Sequence, residues 1–146
     1  MLYCEAVSEV FLGPFCFIDK VIEIRKNESI TALYRLKGSE EFLQDHFEGF
    51  PVMPGVLLLE ALKQAASRLL EDSEPGNRNF RLVSAEDIKF GQFVKPGTEL
   101  RIEARLVRRD GSARFFEGRI DLGGTSEQAG RRRAITANLV LEPASH

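Results

Sequence analysis

Hydrophobic and polar positions divide the chain into stretches of two different periods. Residues 15–24, Phe-Cys-Phe-Ile-Asp-Lys-Val-Ile-Glu-Ile, are rich in β-branched and aromatic side chains, and Lys26-Asn27-Glu28 separates them from a similar run at 29–36. The two runs predict a β-hairpin. From Pro54 to about Glu71 the period changes. Glu60, Lys63, Gln64, Ser67, Arg68 and Glu71 recur every three or four positions among leucines and alanines, as on the polar face of an amphipathic helix. Pro54-Gly55 opens this helix, with proline at the first helical position, where its missing N–H would be unpaired anyway. Ser73-Glu74-Pro75-Gly76-Asn77 stops it. Strand-like runs follow at 80–90, 99–109 and 113–122, with turns at Pro96-Gly97 and Asp110-Gly111-Ser112, and a last run of alternating polarity covers 134–141. Residues 3–11 predict a short helix ended by Gly13-Pro14. Residues 38–53 predict a long connection with one helical turn at 40–43, and 123–130 a loop.

Two strands, one long apolar helix and four further runs of sheet imply an α+β protein, with an antiparallel sheet wrapped around the helix. At 146 residues the chain is expected to form one domain, residues 1–146, with a core of its own. The apolar run Val56-Leu57-Leu58-Leu59 is far short of the roughly 20 residues that span a bilayer, so no transmembrane helix is expected. Met1-Leu-Tyr-Cys-Glu5 carries an acid where a signal peptide has a basic region. Cys4 and Cys16 make neither a zinc site nor a disulfide framework, and the expectation is a reduced, cytoplasmic protein. A net charge of −2 argues against generic nucleic-acid binding. The basic clusters at 105–109 and 131–133 read as solvated strand ends.

Chemistry concentrates between residues 46 and 64. His46 is the one histidine away from the C-terminus. Imidazole, with an unperturbed pKa of about 6.5, both takes and returns a proton near neutrality, although a lone histidine is also a common structural residue. Gly55 at the start of the helix is either a turn residue chosen for backbone freedom or part of a helix N-terminus. There, unpaired N–H groups and the dipole's positive end polarise a carbonyl. Glu60 follows four apolar residues. It reads as a functional carboxylate or as a surface group paired with Lys63 one turn on.

The phrase His46-Phe-Glu-Gly-Phe-Pro-Val-Met-Pro-Gly-Val, followed by Leu59-Glu-Ala-Leu-Lys-Gln64, resembles the active-site segment of the 3-hydroxyacyl-[acyl-carrier-protein] dehydratases, which are hotdog-fold enzymes. The resemblance extends to Phe15-Cys-Phe-Ile-Asp-Lys-Val, Ile88-Lys-Phe and Val94-Lys-Pro-Gly97. It implies dehydration of a (3R)-3-hydroxyacyl thioester on acyl carrier protein to the trans-2-enoyl thioester, in fatty acid or related acyl-chain biosynthesis. By the same resemblance His46 is the base and Glu60 the acid, the Gly55 N–H holds the carbonyl oxygen, and Gln64, Phe47 and Gly49 support the site. No metal or redox cofactor is implied, because elimination moves only protons and water. A glutamate in place of an aspartate is typical of the branch without double-bond isomerisation. The implied assembly is a homodimer, or a trimer of dimers, with His46 of one subunit facing Glu60 of another. The implied partner is an acidic carrier protein, for which Lys89, Lys95 and Arg131-Arg132-Arg133 are candidate contacts.

Three departures stand against the family pattern. Asp45 and Glu48 flank His46, where the family reads Gly-His-Phe-Pro-Gly, and carboxylates there would favour the imidazolium and shift the base's working range to higher pH. Lys63 replaces a small residue and would neutralise Glu60 if it turned inward. A hotdog thioesterase, which would release free acid, and a non-catalytic acyl-thioester-binding protein remain the alternative readings.

Overall fold

A computed structural model describes residues 16–37, 39, 52–77, 79–123 and 132–144. Six strands and one helix make up the described elements. These are β1 (Lys20–Arg25), β2 (Ser29–Arg35), α1 (Gly55–Ser73), β3 (Phe80–Phe90), β4 (Glu99–Asp110), β5 (Ala113–Leu122) and β6 (Arg133–Pro143). All neighbouring strands are antiparallel, in the order β1-β2-β4-β5-β6-β3, and α1 packs against β2 to β6. This is the α+β hotdog arrangement. The helix contributes Leu58, Ala61, Leu62, Ala65, Ala66, Leu69 and Leu70 to the core. Its three alanines keep the helix surface shallow where the sheet crosses it.

Alternation does the rest. In β4, Leu100, Ile102 and Ala104 are buried against the helix side, while Arg101, Glu103 and Arg105 point outward between them. The outward residues of β5 oppose them with opposite charge: Arg101 faces Asp121, Glu103 faces Arg119, and Arg105 faces Glu117. A slip of one residue would turn every one of these charges into the core, so the pattern pins the register. Ion pairs then run along the outer face, Arg119 to Glu103 at 3.2 Å and Arg133 to Asp121 at 2.9 Å, with Arg105 paired to Glu117.

Several expectations need correction. The first strand begins at Lys20: the Asp19 N–H still donates to the Leu33 carbonyl of β2 at 2.8 Å, but before it the chain turns to the helix, where the Phe17 N–H donates to the Gln64 side chain. Pro54 is the N-cap and not the first helical residue, since its ψ of 142° is extended and its carbonyl accepts from Leu57 N–H at 3.0 Å. The helix runs two residues beyond Glu71, to Ser73. Cys16 is disulfide-bonded, against the reduced state expected from the sequence. The expected helix at 3–11, the turn at 40–43 and the loop at 124–130 lie outside the described residues. Among the described residues no helix is long and apolar enough to cross a membrane.

The C-terminal end of α1 is tied down by charge. Glu74, its C-cap, accepts from Arg114 Nη2 at 2.6 Å, Arg109 Nε at 2.9 Å and Asn77 Nδ2 at 2.9 Å. Arg109 also donates to Asn27, whose own backbone N–H donates to Ser73 Oγ at 2.8 Å. One carboxylate thus joins the helix end to the β1–β2 and β4–β5 turns. Burial alone would push the Glu74 carboxyl up, but these hydrogen bonds and the Arg114 charge outweigh it and hold the group down to about 2 from 4.5. A depressed carboxyl contributes stability that is present above the unfolded value and is lost as pH falls from about 4.5 toward about 2. Glu74→Gln should cost about 3 kcal/mol at neutral pH, the scale for removing one partner of a buried ion pair. It should also flatten the fall in stability across that acid window, as read from urea midpoints at neutral and acid pH. An unchanged acid slope would show that other carboxylates govern it.

Candidate active site

The helix N-terminus is built to stay open. Val52 and Met53 are buried, and Met53 N–H donates to the Val94 carbonyl at 2.9 Å, which fixes the entry of α1 against the segment that follows β3. Pro54 offers no side-chain cap, and the first turn contains no acidic residue. Among the described residues nothing accepts from the N–H groups of Gly55 and Val56. Among the described residues, two backbone donors at the positive end of a 19-residue helix are thus left without an acceptor, an arrangement suited to an anion or a carbonyl oxygen.

One and a half turns along, Glu60 is half-buried and Gln64 is fully buried. Gln64 is held from both ends. Its Oε1 accepts from the Phe17 backbone N–H at 2.8 Å, and its Nε2 donates to Glu60 Oε2 at 3.0 Å. The Phe17 N–H fixes which way the amide lies, because an N–H needs the oxygen as its acceptor. The amino group must then face Glu60. A segment 47 residues away in the chain thus sets the orientation of the carboxyl group. This line runs from backbone to amide to acid, and every member is satisfied.

Of the residues singled out by sequence, the structure joins Glu60 and Gln64 by a hydrogen bond and places Gly55 at the start of the same helix. His46, Phe47 and Gly49, with the flanking Asp45 and Glu48, lie outside the described residues. Lys63 is half-buried and, among the described residues, makes no ion pair with Glu60. Lys89, Lys95 and Arg132 are exposed, whereas Arg133 is occupied by Asp121. Arg131 is outside the described residues. Of the other basic cluster, Arg105 and Arg109 are engaged by Glu117 and Glu74, and Arg108 lies 3.7 Å over the Phe115 ring. Sequence reasoning missed Phe17. Its contribution is a backbone N–H, which every residue but proline carries, so no side-chain pattern could mark it.

The ApeI-like family, described as ApeI dehydratase, matches residues 22–122 of this chain. The 3-hydroxyacyl-[acyl-carrier-protein] dehydratase FabZ of Oceanobacillus iheyensis is 39% identical over 114 residues, which cover 76% of this chain and 81% of that protein. FabZ of Lactiplantibacillus plantarum is 38% identical over 131 residues, 88% of this chain and 83% of that one. Among solved structures, the dehydratase heterocomplex ApeI:P from Xenorhabdus doucetiae shares the fold at a TM-score of 0.70, covering 90% of this chain and 85% of that chain at 17% identity. A protein of Streptococcus mutans bound to acetyl CoA does so at 0.62 and 10% identity, over 86% of this chain and 88% of that one. By family match and by identity over most of its length, this chain belongs to the FabZ-type 3-hydroxyacyl-[acyl-carrier-protein] dehydratase family.

Proposed function

We propose that this protein removes water from (3R)-3-hydroxyacyl thioesters on acyl carrier protein to give trans-2-enoyl thioesters, in fatty acid or related acyl-chain biosynthesis. The observation that carries the reading is the Phe17–Gln64–Glu60 line beside an open helix N-terminus, in a chain 39% identical to a FabZ dehydratase. In the proposed reaction His46 takes the proton from C2, and the electron pair moves onto the thioester carbonyl to form an enolate. The Gly55 N–H holds that oxygen. The enolate collapses to the C2–C3 double bond, and the departing hydroxyl at C3 takes a proton from Glu60 and leaves as water. The proton on His46 passes back to Glu60 and closes the cycle. Because Gln64 Nε2 already donates to Glu60 Oε2, the acid's transferable proton belongs on Oε1. The balance is one substrate to one enoyl product and one water, and it calls for no redox or metal step. Residues 1–146 act as one hotdog domain in this reading, in the cytoplasm with the carrier protein. Exposed Lys89, Lys95 and Arg132 are the candidate contacts for that carrier.

His46→Ala and Glu60→Gln should each slow elimination by at least roughly 10²-fold, the usual scale for a general acid or base. Product mass after incubation with 3-hydroxyacyl thioesters reads the result. Free acid as product would instead identify a thioesterase, and binding without turnover a non-catalytic homologue. A milder effect is expected at Gln64. Replacing it by leucine removes the side-chain oxygen that accepts from the buried Phe17 N–H, at a cost of about 1–3 kcal/mol in stability. It also frees Glu60 to rotate, so kcat should fall roughly tenfold, the scale of about 1.4 kcal/mol lost in the transition state, while KM changes little. A Gln64→Leu enzyme with native kcat would remove the amide from the mechanism.

The active unit is a homodimer in this reading, with His46 of one subunit facing Glu60 of the other. The edge position of β3 supports it. This 11-residue strand pairs with β6 on one side, and Val83 and Ile88 are exposed along it. A long strand edge that carries apolar side chains is a template for pairing with another chain. Mixing inactive His46→Ala and Glu60→Gln proteins under subunit exchange should restore part of the activity, since one site in a mixed dimer regains both groups. Mixed dimers that form and stay inactive would place both groups in one subunit.

A further inference from the structure

Phe90 is the last residue of β3 and is 58% exposed. Its ring is nonetheless in contact with the functional helix. A Cβ built on Gly55 would lie 2.7 Å from Phe90 Cε1 and 3.0 Å from Cζ. The ring therefore rests on the first residue of α1, over the turn that carries the unpaired N–H groups.

The backbone goes out of its way to put it there. From Ser84 to Glu86, after a first irregularity between Leu82 and Ser84, β3 runs in regular register with β6, Ala85 opposite Leu139 and Glu86 opposite Asn138. A bulge then inserts one residue, so that Lys89 meets Thr136 and Phe90 meets Ile135. Asp87 takes a left-handed φ of 52° at this bulge, and its carboxylate accepts from Asn138 Nδ2 at 3.1 Å. Parity decides the outcome. Without the extra residue Lys89 would share the inward parity of Ala85 and Phe90 would face outward; with it, Phe90 lies opposite fully buried Ile135, on the helix side. Beyond Phe90, Gly91 and Gln92 donate to the Ala134 and Arg133 carbonyls at 2.8 Å each, and Val94 accepts from Met53 N–H. Gly91 must be glycine, because a Cβ there would lie 2.1 Å from the Arg133 carbonyl oxygen. Ring and helix N-terminus thus stand in one hydrogen-bonded frame.

We propose that Phe90 is a substrate-positioning residue whose ring roofs the N-terminus of α1 and, together with Gly55, forms a water-poor slot for the thioester carbonyl. This rests on the proposed dehydration. A donor pair is worth more to a developing enolate when water cannot compete for it. The half-exposed ring is then explained as a surface left for the acyl thioester to cover. Gly55 is explained as the residue that leaves room for the ring.

The test is a double-mutant cycle on the intact protein. Phe90→Ala removes the roof, and Gly55→Ala displaces it, at small structural cost because the clashing atoms are the far end of an exposed side chain. Each should lower kcat/KM for a 3-hydroxyacyl thioester about tenfold, mostly in kcat, below the roughly 10²–10³ that follows outright loss of an oxyanion donor. Phe90→Leu should recover part of the loss. The double variant should be no worse than the worse single one, since both act on one contact. Amide hydrogen exchange of the peptide covering 54–58, without substrate, should be faster in Phe90→Ala. Multiplicative losses, or unchanged kinetics in Phe90→Ala, would overturn the proposal while leaving dehydration intact. So would a loss that tracks dissociation of the oligomer and disappears at high protein concentration. A wild-type protein that dehydrates no 3-hydroxyacyl thioester would overturn the dehydration reading itself and the slot with it, whatever the exchange data show.

Discussion

The wrap of a six-stranded sheet around α1 is the constraint on which the rest depends. An amide carried inward by a helix crossed by strands on most of its surface needs partners, because an unpaired buried amide costs more than the pair gains. Gln64 is such a side chain, 4% exposed, and both ends of its amide are engaged. Its acceptor is used by Phe17 and its donor by Glu60. The need to satisfy a buried amide and the need to orient the Glu60 carboxyl group, the proposed acid, are met by the same two hydrogen bonds. That is why the chain before β1 leaves the sheet to cross the helix.

The same enclosure leaves the two helix ends to opposite uses. At the C-terminus charges are paired: Glu74 gathers Arg114 and Arg109 together with the Asn77 amide, and Asn27, bonded to Arg109, closes the ring back onto Ser73. At the N-terminus the cap is a proline with nothing to offer, and the donors of Gly55 and Val56 stay free among the described residues. An end tied by an ion pair anchors the helix, so the end with unsatisfied donors can be spent on a ligand without loosening the element that holds it.

Charges on the outer face of the sheet serve register more than binding. Arg101, Glu103 and Arg105 meet Asp121, Arg119 and Glu117 one for one across β4 and β5. Of the three, Arg105 and Glu117 are exposed on both sides, and such a pair contributes little stability. The value of these charges lies in the cost of the alternatives, since a shifted pairing would bury like charges and expose the leucines and isoleucines between them.

Much of the architecture was legible from local pattern. Period and turn residues placed α1 and the strands β3 to β6 within about two residues of their observed bounds, because a strand's period of two and a helix's 3.6 are properties of consecutive residues. The phrase from His46 to Gln64 carried the family, and with it the expected roles of Gly55 and Glu60. Other features depend on residues distant in sequence, and there the pattern misled. Gln64 and Ser67 sit on what reads as a solvent-facing stripe, yet both are buried, since spacing alone cannot separate a solvated polar residue from one the sheet covers. Phe17 enters the site through a backbone N–H that no side chain announces. Phe90 reads as an ordinary strand residue until the bulge at Asp87 reverses the parity of its strand. By itself the sequence determined which elements form and which chemical groups are available, since both are written in local order. The tertiary structure alone decided which face each group occupies and what pairs with it, because those depend on contacts between segments tens of residues apart.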